Sequence, residues 1–140
     1  MADKIHIQIA TPGGTVFDDR VSALNVPVDG ATIGILADHA PLMGAMTDGV
    51  VRCTYADGRE EGVAVGIGVI NVVKNEVTIL TRSAEKGEDI DLARAEAAEK
   101  RARDRLEHRT PETDVTRAEA ALHRAIARQD AAHMVKRHRK

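Results

Sequence analysis

The amino-acid sequence predicts a mainly β protein with added α structure. We expect an N-terminal antiparallel β-sandwich, followed by a C-terminal antiparallel hairpin of two helices. Between Ile5 and Arg82 apolar residues alternate with polar ones, which is the period of half-buried strands. Turn-forming pairs interrupt this alternation at short intervals. From Asp89 onward the apolar residues instead follow the period of a helix.

Repeated turn signals divide the strand half into short strands. They are "TPGG" at 11–14, "KN" at 74–75 and Asp-Gly pairs at 29–30, 48–49 and 57–58. Tight hairpins need residues that tolerate positive φ, and Asp, Asn and Gly do so. Many short strands joined in this way favour a sandwich or a flattened barrel. Pro27 lies within a strand-like run and predicts an edge or a bulge, because proline cannot donate to a sheet.

The helical half is built mostly from alanine and charged residues. The apolar stripe of the first helix is Ala95, Ala98, Ala102 and Leu106. The stripe of the second is Ala118, Leu122, Ala125, Ile126 and Gln129. The seven residues 108–114 between them suit an antiparallel connection and end in an N-cap candidate, Asp114. Asp89 or Asp91 is expected to cap the first helix, and we place the two domains at 1–86 and 87–140.

A helix that packs through alanine gains little from its packing. Burial of one methylene contributes about 0.8 kcal/mol, so an alanine seam gains about a third of what leucine would give. Alanine nevertheless favours the helical state itself. The two helices are therefore expected to be well formed but weakly held. This suits an element with two positions of similar free energy, although a hairpin with one resting place is the alternative.

Composition excludes several classes of function. Residues 85–140 carry fourteen Lys and Arg against twelve Asp and Glu, a total of only +2, and the chain's aromatic residues are Phe17 and Tyr55. Nucleic-acid binding is therefore not expected, because neither strong positive charge nor stacking rings are present. The sequence has neither a run of eighteen apolar residues nor a signal peptide. Cys53 is the one cysteine, so no internal disulfide is expected and this side chain should be packed.

The sequence shows no catalytic or metal-binding arrangement, and we expect a protein that is not an enzyme. The six histidines lack metal-ligand spacing. Asp18 and Asp19 have no evident partner and are expected to be solvated. "GIG" at 66–68 indicates glycine within a strand, at a place where another backbone comes close.

Arginine positions suggest a site for an anion. Asp91, Arg94 and Arg101 share one face of the first helix, and Arg124 with Arg128 share a face of the second. An antiparallel hairpin would turn these guanidinium groups towards a common phosphate pocket, since arginine matches phosphate oxygens. Asp91 or Glu85 would then accept from a base or ribose. Ordinary ion pairs on hydrated helices explain the same spacing, and are favoured on spacing alone.

Three stretches resemble the epsilon subunit of F-type ATP synthases. "GATIGILADHAPLMGAM" at 30–46 is similar to the signature loop of that family, and "ATPGGTVFDDRVSALNVP" at 10–27 matches in kind. "EDIDLARAEAA" at 88–98 is similar to its helix-entry motif, here Ile90, Asp91, Arg94 and Ala95. The resemblance covers essentially the whole chain, and implies a β-sandwich domain followed by a two-helix domain.

The resemblance implies a non-catalytic rotor-stalk subunit with a role in ATP synthesis and ion transport. In the family, the sandwich binds the gamma subunit and sits on the c ring. The helices lie compactly on the sandwich or extend towards the alpha and beta subunits, where they impede ATP hydrolysis. The protein would be peripheral, at the cytoplasmic face of the bacterial cell membrane. The basic residues expected to meet the beta subunits are Arg117, Arg124, Arg128, Lys136 and Arg137.

The resemblance also implies two sets of site residues. The partner-contact loop is His39, Ala40 and Pro41, although a bond from His39 to local backbone is an alternative. The common family form has Glu, Pro and Gly where this chain has Thr32, Ala37 and Asp38. The residues implied for ATP are Glu85, Ile90, Asp91, Arg94, Ala95, Arg101, Arg124 and Arg128. ATP would be a regulatory ligand, with no obligatory cofactor. The alternative is a free-standing β-sandwich module that binds a small anion or nucleotide under a helical lid.

Overall fold

A computed structural model describes residues 3–137, with side chains described as far as Met134. Ten strands are followed by two helices. The strands are β1 Ile5–Thr11, β2 Gly14–Val21, β3 Ala23–Val28, β4 Ala31–Leu36, β5 Leu42–Met46, β6 Gly49–Thr54, β7 Glu60–Val65, β8 Gly68–Val73, β9 Glu76–Thr81 and β10 Ala84–Lys86. A 3₁₀ turn at Gly87–Asp89 leads to α1 Leu92–Glu107 and α2 Val115–Arg137.

The strands form one continuous folded sheet, and the predicted fold class is confirmed. Its order is β10-β7-β6-β3-β5-β8-β9-β1-β2, with β4 paired to β3. Among the described strands every pairing is antiparallel except that of β1 with β9, which is parallel. The alternation of apolar and polar residues along one strand does not indicate the direction of its neighbour. The parallel pairing of β1 with β9 therefore could not be predicted from the sequence pattern.

The core of the sandwich is aliphatic. Ile5, Ile7 and Ile9 of β1 are fully buried, and they neighbour Val77 and Ile79 across the parallel pair. These residues alternate with polar ones that face outward, as the period of two predicts. The burial of large apolar side chains on one face of each strand is therefore what holds the sheet closed on itself.

Cys53 and Tyr55 of the β6 region complete this core. Cys53 is fully buried, as predicted, and burial raises the pKa of its thiol, which keeps it protonated and unreactive. Tyr55 is also buried, and its hydroxyl donates to Asp19 Oδ2 at 2.6 Å. Burial and this hydrogen bond raise the pKa of Tyr55. Asp19 therefore satisfies the one polar atom of a buried ring.

Two of the predicted turns have the expected backbone. Asp29 and Gly30 both have positive φ, 51° and 79°, and Lys74 and Asn75 do so at 49° and 65°. Two successive residues with positive φ are the mark of a type I′ hairpin, which matches the twist of the joined strands. Asp-Gly at 48–49 differs, since neither residue has a positive φ among the described ones.

Glycine and proline stand where the strands crowd or change partners. A Cβ on Gly68 would lie 2.1 Å from the carbonyl oxygen of Leu80, so β8 needs glycine there. Pro27 lies where β3 leaves one neighbour for another: β6 pairs with Ala23–Asn25, and β5 pairs with Val28. The close backbone at Gly68 agrees with the sequence prediction for the glycines at 66–68. The edge predicted from Pro27 is not found, because β3 lies inside the sheet; the proline instead occupies the gap between the β6 and β5 pairings.

The helices begin where their caps were predicted. Asp91 Oδ1 accepts a hydrogen bond from the backbone N–H of Arg94 at 3.1 Å. Asp114 Oδ1 accepts from the backbone N–H of Arg117 at 3.0 Å. Each aspartate satisfies one of the amide groups that a helix start leaves without a partner.

Alanine forms the seam between the helices, and α2 also packs on the sandwich. Ala95 and Ala102 of α1 are buried, as are Ala118 and Ala125 of α2. Farther along α2, the residues buried against the sheet are Ala127, Ala131 and Met134. α2 therefore contacts both α1 and the β6–β7 face of the sandwich.

Candidate functional site

A cleft of about 430 Å³ lies where α2 crosses β7 and β10. Its walls come from both halves of the chain, because β7 and β10 supply one side and α2 supplies the other. The lining residues are Ala64, Val65, Ser83, Ala84, Glu85, Arg124, Ala127 and Arg128. A ligand in this cleft would contact the sandwich and α2 at once.

Two ion pairs join α2 to the sandwich at this cleft. Arg128 Nε donates to Glu85 Oε1 at 3.0 Å. Arg124 Nη1 lies 4.0 Å from Asp48 Oδ2, in the connection between β5 and β6. Both pairs are partly exposed, so each contributes little to stability by itself. Their value lies in where they place two guanidinium groups, one helical turn apart, beside the cleft.

The structure assembles part of the set implied for ATP. Glu85, Arg124 and Arg128 line the cleft together. The other five, which do not line it, are Ile90, Asp91, Arg94, Ala95 and Arg101. Ile90 and Asp91 precede α1, Arg94 and Ala95 lie in its first turn, and Arg101 lies beyond its middle.

Two of these five have evident structural roles. Asp91 is the cap of α1, and it bonds the backbone of Arg94. Ala95 is buried in the helix seam. The side chains of Arg94 and Arg101 are exposed. A shared phosphate pocket for all four arginines is therefore not preformed in this arrangement.

A second, larger cleft of about 750 Å³ lies on the other side of Asp48, between α2 and strands β3 and β6. Its polar side chains include Asn25, Asp48, Arg52, His123 and Asp130. The two clefts together mean that α2 covers the sandwich incompletely. α2 still contacts β7, β6, β10 and the 3₁₀ turn, and Ala131 and Met134 lie directly against Gly62 of β7.

The predicted partner-contact loop follows β4. His39 Nδ1 donates to the carbonyl oxygen of Ala40 at 2.6 Å, which is the local bond that the sequence left open for this histidine. Both residues before β5, Ala40 and Pro41, are accessible. The loop thus has an ordered conformation while keeping surface free for a partner.

A reciprocal pair fixes the start of this loop. The N–H of Asp38 donates to Asn75 Oδ1 at 2.6 Å, and Asn75 Nδ2 donates to Asp38 Oδ1 at 3.1 Å. Asp38 has a φ of 64°. The glycine of the common family form is thereby explained, since glycine adopts this conformation without strain, and aspartate also tolerates it.

The outer surface of strands β5, β8 and β9 carries exposed apolar side chains. Met43, Val69, Val73 and Leu80 are 78%, 51%, 42% and 53% exposed, and Ile67 before β8 is 50% exposed. We call these five residues the apolar face. Cross-strand pairing places Val69 beside Leu80, so they form one surface rather than scattered positions. Clustered exposed apolar residues indicate a protein interface.

Asp18 and Asp19 are exposed to solvent, as predicted, but the expectation that they have no partners was wrong. Asp18 Oδ1 lies 2.6 Å from His6 Nε2, and Glu76 Oε2 lies 2.8 Å from His6 Nδ1. Gln8 Nε2 donates to Asp18 at 3.0 Å, and Asp19 accepts from Tyr55. The His6 contacts join the paired strands β2, β1 and β9, whereas Tyr55 follows β6, a strand that does not pair with β2. No local sequence signal predicts which residues the fold brings together in this way.

The His6 cluster is defined as His6, Asp18 and Glu76, and its contacts shift the pKa of His6 and of Asp18. Hydrogen bonds to Asp18 and then Glu76 raise the pKa of His6. Hydrogen bonds from Gln8 and then His6 lower the pKa of Asp18. The cluster joins β2, β1 and β9 on the outer surface of the sandwich.

Between residues 3 and 134 no group of three or more His, Cys, Asp or Glu side chains is placed to hold a metal ion. None of the described helices combines the length and the apolar character needed to cross a bilayer.

Family models match the chain in two consecutive pieces. Residues 4–87 match the model described as the ATP synthase delta/epsilon chain β-sandwich domain. Residues 88–133 match the long α-helix domain of the same chain. The chain belongs to the ATP synthase delta/epsilon family.

The chain is similar in sequence to bacterial relatives over nearly their full length. The chain is 42% identical over 128 residues to an ATP synthase epsilon chain from Bacillus velezensis, covering 91% of this chain and 96% of that one. It is 42% identical over 132 residues to an ATP synthase epsilon chain from Desulfitobacterium hafniense strain Y51, covering 94% and 98%.

Solved structures share the fold. A chain in the mitochondrial ATP synthase of Euglena gracilis matches with a TM-score of 0.76 at 20% identity, covering 95% of this chain and 84% of that one. A chain in the central stalk and c-ring structure of the Tetrahymena thermophila mitochondrial ATP synthase matches with a TM-score of 0.53 at 12% identity, covering 97% of each. At these identities the likeness concerns the fold alone.

Proposed function

We propose that this epsilon-family chain is a non-catalytic subunit of the rotor stalk in a bacterial F-type ATP synthase. The observation that carries the proposal is the ordered match of both family domains, together with bacterial epsilon chains that are related end to end. The protein would sit peripherally at the cytoplasmic face of the cell membrane, held there by the complex. It would join the gamma subunit to the c ring, so that ion flow turns both.

The sandwich supplies two surfaces for these contacts. The apolar face has the exposed clustered side chains that a stable protein partner would cover, and we assign it to gamma. The ordered loop at His39, Ala40 and Pro41 is assigned to the c ring and the rotor base. The unusual Asp38 leaves the shape of this loop intact, because Asn75 supports it.

The helix hairpin acts as a brake on ATP hydrolysis in this proposal. Its support is the way α2 rests on the sandwich: small side chains make the contact, two clefts interrupt it, and the two ion pairs are partly exposed. Such a contact gives little free energy to overcome when the arm leaves. When it extends, the basic side chains of α2 would meet the beta subunits. Of these, Lys136 and Arg137 lie outside the described side chains.

A truncation after Glu88 tests the brake. The sandwich retains its strands, so the shortened subunit should assemble with gamma and the c ring. The assembled complex should then hydrolyse ATP faster than the complex with the full chain. An unchanged rate of hydrolysis in a fully assembled complex would remove the brake from this proposal.

ATP is proposed as the ligand that holds the arm in its compact position. Arg124, Arg128 and Glu85 already share a cleft that spans α2 and the sandwich. Arg94 and Arg101 would join them by rearrangement of exposed side chains. A ligand shifts the arm only by its differential affinity for the compact state, and contact with both halves gives that difference.

Calorimetry with the wild type and with Arg124→Ala tests the nucleotide. The wild type should release heat on titration with MgATP, and the variant should bind at least several-fold more weakly. No heat from the wild type at millimolar MgATP would exclude regulation by this ligand.

A free-standing nucleotide or anion module is the second candidate, and the cleft between sandwich and α2 is the observation that favours it. Retention with gamma decides between the two. A rotor subunit should be retained by immobilised gamma, whereas a free-standing module should pass through the column.

A further inference from the structure

Each arginine at the candidate nucleotide cleft already faces a carboxylate of the sandwich. Arg128 is hydrogen-bonded to Glu85, and Arg124 lies 4.0 Å from Asp48. Glu85 lines the cleft, so it is available to a ligand directly. Asp48 does not line that cleft; it lines the larger cleft next to it. Asp48 thus contacts Arg124 from behind, away from the space where phosphates would lie.

The position of Asp48 is fixed by the wall between the two clefts. A Cβ on Gly66 would lie 3.6 Å from Asp48 Oδ1 and 2.8 Å from Ser83 Oγ. Ser83 lines the smaller cleft, so Asp48 and the cleft share this short piece of backbone. The Asp48 side chain is 20% exposed, against 49% for that of Arg124. The carboxylate is therefore the more enclosed partner, while the guanidinium is free to turn.

We propose that Asp48 competes internally with nucleotide for Arg124 and thereby lowers the affinity of the cleft for polyphosphate. The inference rests on the proposed function of this cleft as a nucleotide site. Without ligand, Asp48 attracts Arg124 towards the larger cleft. A bound triphosphate requires Arg124 to turn towards the phosphates, and it also meets the repulsion of a fixed carboxylate nearby. Both effects weaken binding in proportion to the charge of the ligand.

The expected size follows from the exposure of the pair. Partly exposed ion pairs have small coupling energies. Asp48→Asn should therefore bind MgATP about three- to fivefold more tightly than the wild type. Because the effect is electrostatic, the gain should shrink at high ionic strength. Adenosine carries no phosphate, so its binding should not change.

The experiment measures MgATP, MgADP and adenosine binding by the full chain at low and high salt. The variants are the wild type, Asp48→Asn, Asp48→Glu and the control Asp57→Asn. Asp57 lies in the β6–β7 turn and pairs with Arg59, so this control makes the same charge change away from the cleft. Asp48→Glu keeps the charge and should bind like the wild type or more weakly. Thermal unfolding of every variant identifies any loss of fold.

The outcomes separate this inference from the proposed function. Tighter MgATP binding by Asp48→Asn alone, with a gain that falls with salt, supports the inference. MgATP binding by the wild type, with no gain in Asp48→Asn, overturns it and leaves the nucleotide site standing. An equal gain for adenosine also overturns it, because the cause would then be a looser structure rather than charge. Absence of binding by every variant overturns both.

Discussion

Gly62 of β7 and Ala131 of α2 meet backbone to backbone. A Cβ on Gly62 would lie 2.9 Å from the Cα of Ala131 and 2.8 Å from the sulfur of Met134. The sulfur ends a flexible side chain and can turn aside. The Cα belongs to the helix and can retreat only if α2 moves. This contact therefore sets how closely the arm approaches the sandwich.

Gly62→Ala should loosen α2 without unfolding the sheet. Overpacking of this kind costs about 1–3 kcal/mol, and the helix relieves it by withdrawing from β7. Hydrogen exchange should become faster in α1 and α2, while the amides of β1 and β9 keep their protection. Gly13→Ala is the matched control, because its Cβ would meet nothing closer than 3.6 Å. Equal protection of α2 in Gly62→Ala and the wild type would contradict this role.

The apolar face should carry much of the binding to gamma. Leu80→Asp places a charge beside Val69, where a partner would have to desolvate it. Retention on immobilised gamma should fall at least tenfold, with thermal stability unchanged because Leu80 is 53% exposed. Ala56→Asp, in the β6–β7 turn, is the control and should bind normally. Undiminished retention of Leu80→Asp would assign gamma to another surface.

Asp38 should tolerate glycine far better than valine. Its φ of 64° strains any residue with a branched Cβ, so Asp38→Val should cost about 1–2 kcal/mol of stability. Asp38→Gly loses the hydrogen bond that Asn75 donates to the carboxylate, but it keeps the backbone N–H bond to Asn75 and relieves the backbone, so its net change should stay within about 1 kcal/mol. Urea unfolding of the three proteins measures both values. Similar losses for glycine and valine would show that backbone conformation is not what selects the residue here.

The His6 cluster should make stability depend on pH in two regions. The raised pKa of His6 means that its contribution is fully present below the ordinary histidine pKa of about 6.5, and is lost as pH rises through the raised value. The lowered pKa of Asp18 has the opposite sense. Its contribution is present above the ordinary carboxyl pKa, and is lost as pH falls through the lowered value.

His6→Gln isolates the upper region. The wild type should lose stability relative to this variant as pH rises above about 6.5, since only the wild type has the His6 proton to release there. Urea midpoints at closely spaced pH values measure the difference. His133→Gln, at an exposed position, should keep the wild-type dependence. If the urea midpoints of His6→Gln and of the wild type changed in parallel with pH, His6 would not contribute to stability through its charged form.

Local chemistry explains which features were predictable from the sequence. Asp91 and Asp114 cap helices whose amide groups lie three residues away, so spacing alone identifies them. The hairpin turns at 29–30 and 74–75 each depend on two adjacent residues, so they too could be predicted from the sequence. The partners of Asp18 and Asp19 are 12 and 36 positions away in the sequence; strand register decides the first and the folding of the sheet on itself decides the second.

The four arginines implied for ATP show the same limit of sequence-based prediction, here for the orientation of two helices. Arg124 and Arg128 stand one turn apart on one helix, and the structure does bring them to one cleft. Whether Arg94 and Arg101 join them depends on the rotation of α1 about α2. A seam of methyl groups fixes that rotation weakly, because alanine makes few interlocking contacts. The pattern therefore predicted which arginines share a face of each helix, but it could not predict how the two helices are oriented relative to each other.

The parallel pairing of β1 with β9 places a condition on biosynthesis. His6 neighbours Glu76, and Ala10 neighbours Leu80. β1, the first strand to be synthesised, therefore gains this neighbour only when β9, one of the last strands, is present. Loop closure over such a span is slow, and nearby hairpins should form earlier. In a nascent chain that stops before residue 76, the edge of β1 that pairs with β9 would have unpaired backbone groups and would be prone to aggregation. The sandwich therefore cannot close until β9 has emerged from the ribosome. The two helices are synthesised only after that.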